Sequence, residues 1–253
     1  MQQPFAALLE VLEHVSDVYQ RLGTQDLWWR GQPEAGLMLV PKVFRSYPDG
    51  TEFNLIANFD RQAPLRYANW PQEESHKLLL MQHFGLPTRL LDWTMGVLTA
   101  LYFAVSEERE NKDATLWALN PQELNRRQTG YPHVYSHEMK EVRELIDLAF
   151  MRPSERPQID DRVLAMSGPE LDLRMLVQWA MFTIHATGRP VQQLPDHQTF
   201  VAEITIPCKD RQPLRQALLI AGFSHARLFP DLQSLATDLR HTYERLKKQF
   251  PSR

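Results

Sequence analysis

Five residues able to do chemistry fall in one segment, QHFGLPTRLLDWT (82–94): His83, Thr88, Arg89, Asp92 and Trp93, set among large apolar side chains. A histidine there offers general acid or base chemistry near neutral pH. An arginine offers a planar fork to a phosphate or carboxylate. An exposed loop would not hold so much leucine, tryptophan and phenylalanine. A plain core segment would not hold so many polar groups, since an unpaired buried one costs about 1–3 kcal/mol. The segment therefore lines a polar pocket, or its polar groups pair with one another. Arg30 poses the same choice. In LWWRGQP (27–33) an apolar run of strand character passes through Trp29 straight into Arg30 and Gly31. The arginine either pairs with an acid such as Asp92 or Glu52 or holds a ligand anion. A glycine beside it leaves the backbone open to a ligand.

The surrounding pattern supplies the elements that must position these groups. Apolar residues at helical spacing from Phe5 to Tyr19 predict an N-terminal helix over 4–22, stopped by Gly23. Helices are also expected over 51–66, 72–84, 95–109, 121–127, 138–149, 210–221 and 231–249. The helix at 51 has Asp49 or Thr51 as candidate N-caps and Glu52 in its first turn. Gly85 and Pro87 read as the stop after 72–84. Strands are expected at 27–30, 114–120 and 199–206, with Glu203 facing outward, and a short extended piece at 37–40. The run RMLVQWAMFTIH (174–185) reads as helix then strand, or as one long strand. The proline-containing stretch 152–170 reads as a surface excursion. The sum is an α+β chain forming a single compact domain over 1–253, with a small mixed or antiparallel sheet surrounded by helices.

Composition sets limits. The chain has 253 residues, 43% hydrophobic and 23% charged, with a net charge of −3, which speaks against a general nucleic-acid coat. No apolar run reaches the roughly 18–20 residues of a membrane span, and the start lacks the pattern of a signal peptide. Cys208 is the only cysteine, so an intrachain disulfide and a cysteine zinc site are excluded and a cytoplasmic setting is expected. The histidines are scattered and no metal is expected. Neither type of Gly-rich phosphate loop is present.

WWRGQ, then LVPKVFR (39–45), QHFGLPTRLLDWT and ALYFAV (100–105) resemble the FRG domain family, whose aromatic-x-Arg-Gly motif is met by Trp28 to Gly31. Gln178 stands where the family tends to show Arg-x-x-x-Gln-x-Gly-x-Phe, with Ala180 replacing the glycine, and LFPDLQSLATDL (228–239) resembles its closing helix. The family is mostly bacterial and phage-associated. An aromatic-Arg-Gly at the end of an early strand also resembles the first strand of arginine-type ADP-ribosyltransferases, which implies an ADP-ribosyltransferase-like fold. It implies an NAD-consuming transferase or NAD glycohydrolase, in a toxin or anti-phage defence setting, with NAD as substrate and a macromolecular acceptor or phage component as partner. Arg30 would then hold the pyrophosphate, Trp93 or Tyr102 would stack on a ring, and Glu203 would be the late carboxylate. The Ser-Thr-Ser motif of those enzymes is replaced by Pro87-Thr88-Arg89, and Glu203 has no paired glutamate, so His83 or Asp92 could take the chemical role. Two alternatives stand beside this one: a module that binds a nucleotide or phage component without turnover, and a nuclease. On every version Arg30, His83, Thr88, Arg89, Asp92, Trp93 and Gln178 are expected in one pocket, with Glu52 and Glu203 as acids to test.

Overall fold

The computed structural model of the protein describes residues 4–249 apart from 108, 110 and 159. Seven strands form one open mixed sheet: β1 (Trp28–Gln32), β2 (Leu90–Thr94), β3 (Ala114–Leu119), β4 (Tyr135–Ser136), β5 (Val163–Ser167), β6 (Ala180–His185) and β7 (Val201–Ile206). Their order is β4-β5-β6-β2-β1-β3-β7. β4 runs parallel to β5 and every other pairing is antiparallel. The helices are α1 (Pro4–Leu22), α2 (Lys42–Ser46), α3 (Thr51–Gln62), α4 (Glu74–His83), α5 (Val97–Val105), α6 (Pro121–Thr129), α7 (Lys140–Phe150), α8 (Leu173–Val177), α9 (Arg211–Ile220), α10 (His225–Leu228) and α11 (Leu232–Gln249). The expected α+β class and mixed sheet are present. Among the described residues no helix is long and apolar enough to cross a membrane.

Register explains why so many aromatic residues crowd β1. Alternate strand residues face opposite sides, so Trp29 and Gly31 share one face with Leu116, Ala118, Ala202 and Ile204. Trp28, Arg30 and Gln32 share the other with Trp117 and Leu119. The first face carries two separate apolar cores. One joins β1, β3 and β7 to α1, α5 and α9. The other joins β5, β6 and the start of β2 to α3, α4 and α7. The opposite face holds the third core, around Trp28, Trp93, Trp117 and Phe200. The seam between the first two cores runs along β1 and β2, which share a single register pair, Trp29↔Thr94.

Several local expectations change. The helix at 51 starts on Gly50, whose φ of +82° suits glycine, so Thr51 is already helical and no side chain caps the end. Residues 37–40 pair with no strand and lead into α2, which the sequence pattern did not announce. The surface excursion over 152–170 ends early, because 163–166 is the buried strand run Val-Leu-Ala-Met. β2 was also unmarked: it is buried throughout except at Asp92, and its short apolar run does not by itself separate strand from helix. The 174–185 run is helix then strand, broken at Trp179 with φ +49°.

Candidate functional site

A cleft of about 640 Å³ opens over the seam, floored by β2 and walled by α5 on one side and α4 and α8 on the other. Asp92 is its floor acid. On an otherwise buried strand its side chain is 55% exposed. Arg30 leaves β1 on the opposite face and reaches the gap between β1 and β2 beside it. One residue beyond the single β1–β2 register pair, Arg30 Nη1 donates to the main-chain carbonyl of Asp92 at 2.6 Å, with the Asp92 Oδ2 at 3.8 Å. The guanidinium thus bridges the two strands where the ladder stops. Burial lowers its proton affinity, Asp92 raises it, and the positive charge of Arg45 lowers it further; it remains a cation.

A chain of hydrogen bonds sets the Asp92 carboxylate. The Leu90 N–H donates to Thr88 Oγ1 at 3.1 Å, Thr88 donates to Gln82 Oε1 at 2.6 Å, and Gln82 Nε2 donates to Asp92 Oδ2 at 2.8 Å. Gln82 can reach back because α4 ends one residue later, where Gly85 at φ +81° lets Leu86 N–H bond to the carbonyl of Met81. His83, in the last turn of α4, meets Asp172 Oδ2 through Nε2 at 2.6 Å. Asp172 caps α8 by accepting from Met175 N–H at 2.9 Å. With Nε2 donating to that carboxylate, Nδ1 is left as the accepting nitrogen. Burial pushes the His83 pKa down, Asp172 opposes this and Arg174 adds to it, for a net lowering. The ring is therefore neutral near pH 7.

Lys42 and Arg45 reach the cleft from α2. Both are exposed, and neither has an ion-pair partner among the described residues. Arg30 Nε at the wall, and Trp29 Nε1 in the core behind it, are buried without an acceptor among the described residues. A buried donor without a partner asks for an explanation such as a bound water or ion. Arg174 donates to the His83 carbonyl at 3.2 Å and stacks over Phe229 at 4.5 Å.

Residues 25–113 match the family model for the FRG domain. That stretch is similar to the FRG domain. No curated protein and no solved structure matched the chain. The FRG stretch contains β1, β2 and α2 to α5, and hence Arg30, Lys42, Arg45, Gln82, His83 and Asp92. Asp172, Arg174 and Gln178 come from beyond it.

Of the residues expected in one pocket, Arg30, His83, Asp92, Trp93 and Gln178 line the cleft, together with the binding candidates Trp29 and Gly31. Their roles differ from expectation. Trp29 is fully buried and packs on Tyr19. The Trp93 indole donates to Thr183 at 3.1 Å within the opposite core, so its ring is not a stacking platform. Gly31 makes room for α5: a methyl group there would meet the Ala100 carbonyl oxygen at 1.9 Å. Gln178 spends its amide on the Leu228 carbonyl at 2.8 Å, tying α8 to α10.

Five residues lie elsewhere. Arg89 and Glu52 form a buried ion pair, 1% and 3% exposed, with Arg89 Nη2 and Nε on Oε2 at 2.7 and 3.0 Å. The Arg89 N–H also donates to Glu52 Oε1 at 2.7 Å. Both are thus structural, and Arg89 does not pair with Asp92. Thr88 is fully buried and acts only through Gln82. Tyr102 faces away and meets His225 Nδ1 at 3.3 Å. Glu203, outward as expected, lies on edge strand β7 in a separate shallow depression with Arg21 and His197. β3 stands between it and Arg30, so it is not the carboxylate of this cleft. Lys42 and Arg45 were not among the expected site residues, although their i,i+3 spacing on a short helix was a signal. Nor was Asp172, whose N-cap position before an apolar run was one.

Proposed function

We propose that the cleft binds a phosphate-bearing nucleotide and that NAD is the ligand whose nicotinamide–ribose bond it cleaves. The observation that carries this is the convergence of Arg30, Lys42 and Arg45 on a cleft whose floor presents the Asp92 carboxylate. The cations suit a pyrophosphate. The volume lies within the range of about 300–1,000 Å³ usual for small-ligand sites. The unpartnered Arg30 Nε adds demand for an acceptor-rich ligand.

In this scheme the C–N bond to the ribose breaks and its electron pair stays with the nicotinamide nitrogen, which leaves as a neutral ring. Positive charge develops on the ribose C1′, and Asp92, fixed by Gln82, stabilises it electrostatically. Water, or a hydroxyl of a macromolecular acceptor, then attacks C1′ and gives its proton to the neutral His83. A toxin or anti-phage role is the setting such an activity fits. The position of Glu203 outside the cleft favours a second reading: nucleotide binding without turnover.

Proton NMR of NAD with purified protein, with and without cell lysate, tests both. Nicotinamide release by the wild type, lost in Asp92→Asn and reduced at least about 10-fold at sub-saturating NAD in Lys42→Ala/Arg45→Ala, is the expected result. Saturable binding with no release supports the second reading. No binding by folded protein overturns both.

A further inference from the structure

A second constellation lies at the end of α4 remote from the cleft. Glu73 stands at the N-cap position of α4 and His76 in its first turn, three residues on. His137 comes from the connection between β4 and α7. One donor atom from each of the three lies within 4.8 Å of the other two. The imidazole rings are 5.2 Å apart and tilted by 36°.

The hydrogen bonding of this group is incomplete. His137 Nε2 is buried with no hydrogen-bond partner among the described residues, and the Glu138 oxygen is 4.0 Å away. Glu73 occupies a capping position yet its side chain caps nothing. A structural histidine pair would have its buried nitrogen satisfied, since leaving it bare costs about 1–3 kcal/mol.

We propose that Glu73, His76 and His137 hold a divalent transition metal, with zinc the expected ion and the fourth position open to water or to Glu138. Two imidazole nitrogens and one carboxylate form a donor set suited to zinc, whereas magnesium and calcium take oxygen. Bonds of about 2.0–2.2 Å in a tetrahedron place ligand atoms roughly 3.4 Å apart. The site requires side-chain rotation to close the present spacing to that value. Glu73 and His76 stand at Glu-x-x-His spacing in the sequence, a pair overlooked when no metal was expected; the third partner comes from a distant connection. The metal would pin the first turn of α4 to the β4–α7 connection, while the last turns of the same helix present Gln82 and His83 to the cleft.

The test uses the untagged full chain, stripped with EDTA and titrated with zinc chloride by calorimetry, with cobalt(II) absorption as a second readout of tetrahedral coordination. One saturable site per chain is expected, with a higher Tm in zinc. His137→Ala and His76→Ala should each weaken binding at least about 100-fold, beyond the 10–100-fold typical of outer-shell losses. Glu73→Gln, at an exposed position that leaves folding intact, should weaken it at least 10-fold by the same standard. Cys208→Ser and His241→Ala should bind as wild type. Absence of a saturable site overturns the proposal. So does binding that survives in folded His76→Ala and Glu73→Gln, or that is lost in Cys208→Ser.

Discussion

Replacing Gly31 by alanine separates two explanations of the Arg-Gly pair. An alanine methyl would stand 1.9 Å from the Ala100 carbonyl oxygen and 2.5 Å from the Ala104 nitrogen, both main-chain atoms of α5. Carbon–oxygen contacts are ordinarily about 3.3 Å or longer, so the helix must withdraw by about 1.4 Å. That motion pulls Ala100, Leu101, Ala104 and Val105, all fully buried, from the core over β1. Overpacking costs about 1–3 kcal/mol. A clash between two backbones cannot be relieved by a rotamer, which puts this one near 3 kcal/mol. For a chain of this size each kcal/mol lowers Tm by about 2–4 °C, so a fall of about 6–12 °C is expected. Thermal and urea unfolding followed by circular dichroism measure it. A fall below about 2 °C would refute the packing argument. If ligand affinity were lost with stability intact, the glycine would serve ligand approach instead.

Two other predictions concern buried charge. Glu52→Gln strips the Arg89 guanidinium of its counter-charge and should cost about 3–5 kcal/mol in urea unfolding, whereas Glu52→Leu/Arg89→Met should recover most of it; a single-variant loss under 1 kcal/mol would show that the pair is not desolvated. His185 is fully buried, with Nε2 3.0 Å from Thr183 Oγ1, and burial drives its pKa down to about 3. The folded value lies below the unfolded one, so this contribution is fully present above about pH 6.5. It is lost as pH falls toward 3, at about 1.4 kcal/mol per pH unit. Between pH 7 and pH 5 the wild type should lose about 2 kcal/mol more than His185→Phe, and equal losses in the two would remove His185 as the cause.

Much of the fold was legible because its signals are local. The apolar stripe of α1, the Gly85 stop and the alternation in β7 each state their structure within a few residues. The site was legible in part for the same reason: the FRG segment holds both Arg30 and Asp92, and their contact follows once two strands are adjacent. What failed was partner choice. Arg89 had Asp92 three residues away and chose Glu52, because Asp92 faces the cleft while Glu52 is carried inward by α3. Nothing near Gly31 in sequence reveals that α5 will lie against it. β5 was hidden by the prolines that precede it, and Glu203 was drawn into the site by strand character, which does not say where in a sheet a strand falls.

The single register pair between β1 and β2 bears on how the chain folds. Each central strand finds its full ladder far along the sequence: β1 waits for β3, β2 for β6, and β3 for β7. The FRG stretch supplies the middle of the sheet but neither of the strands that flank it. The Arg30–Asp92 contact is therefore locked in place by strands that come later in the chain, and loop closure weighs on the pace of assembly beside local propensity. Until β3 and β6 arrive, two apolar strands stand with open edges, the period in which this protein is most exposed to pairing with the wrong chain.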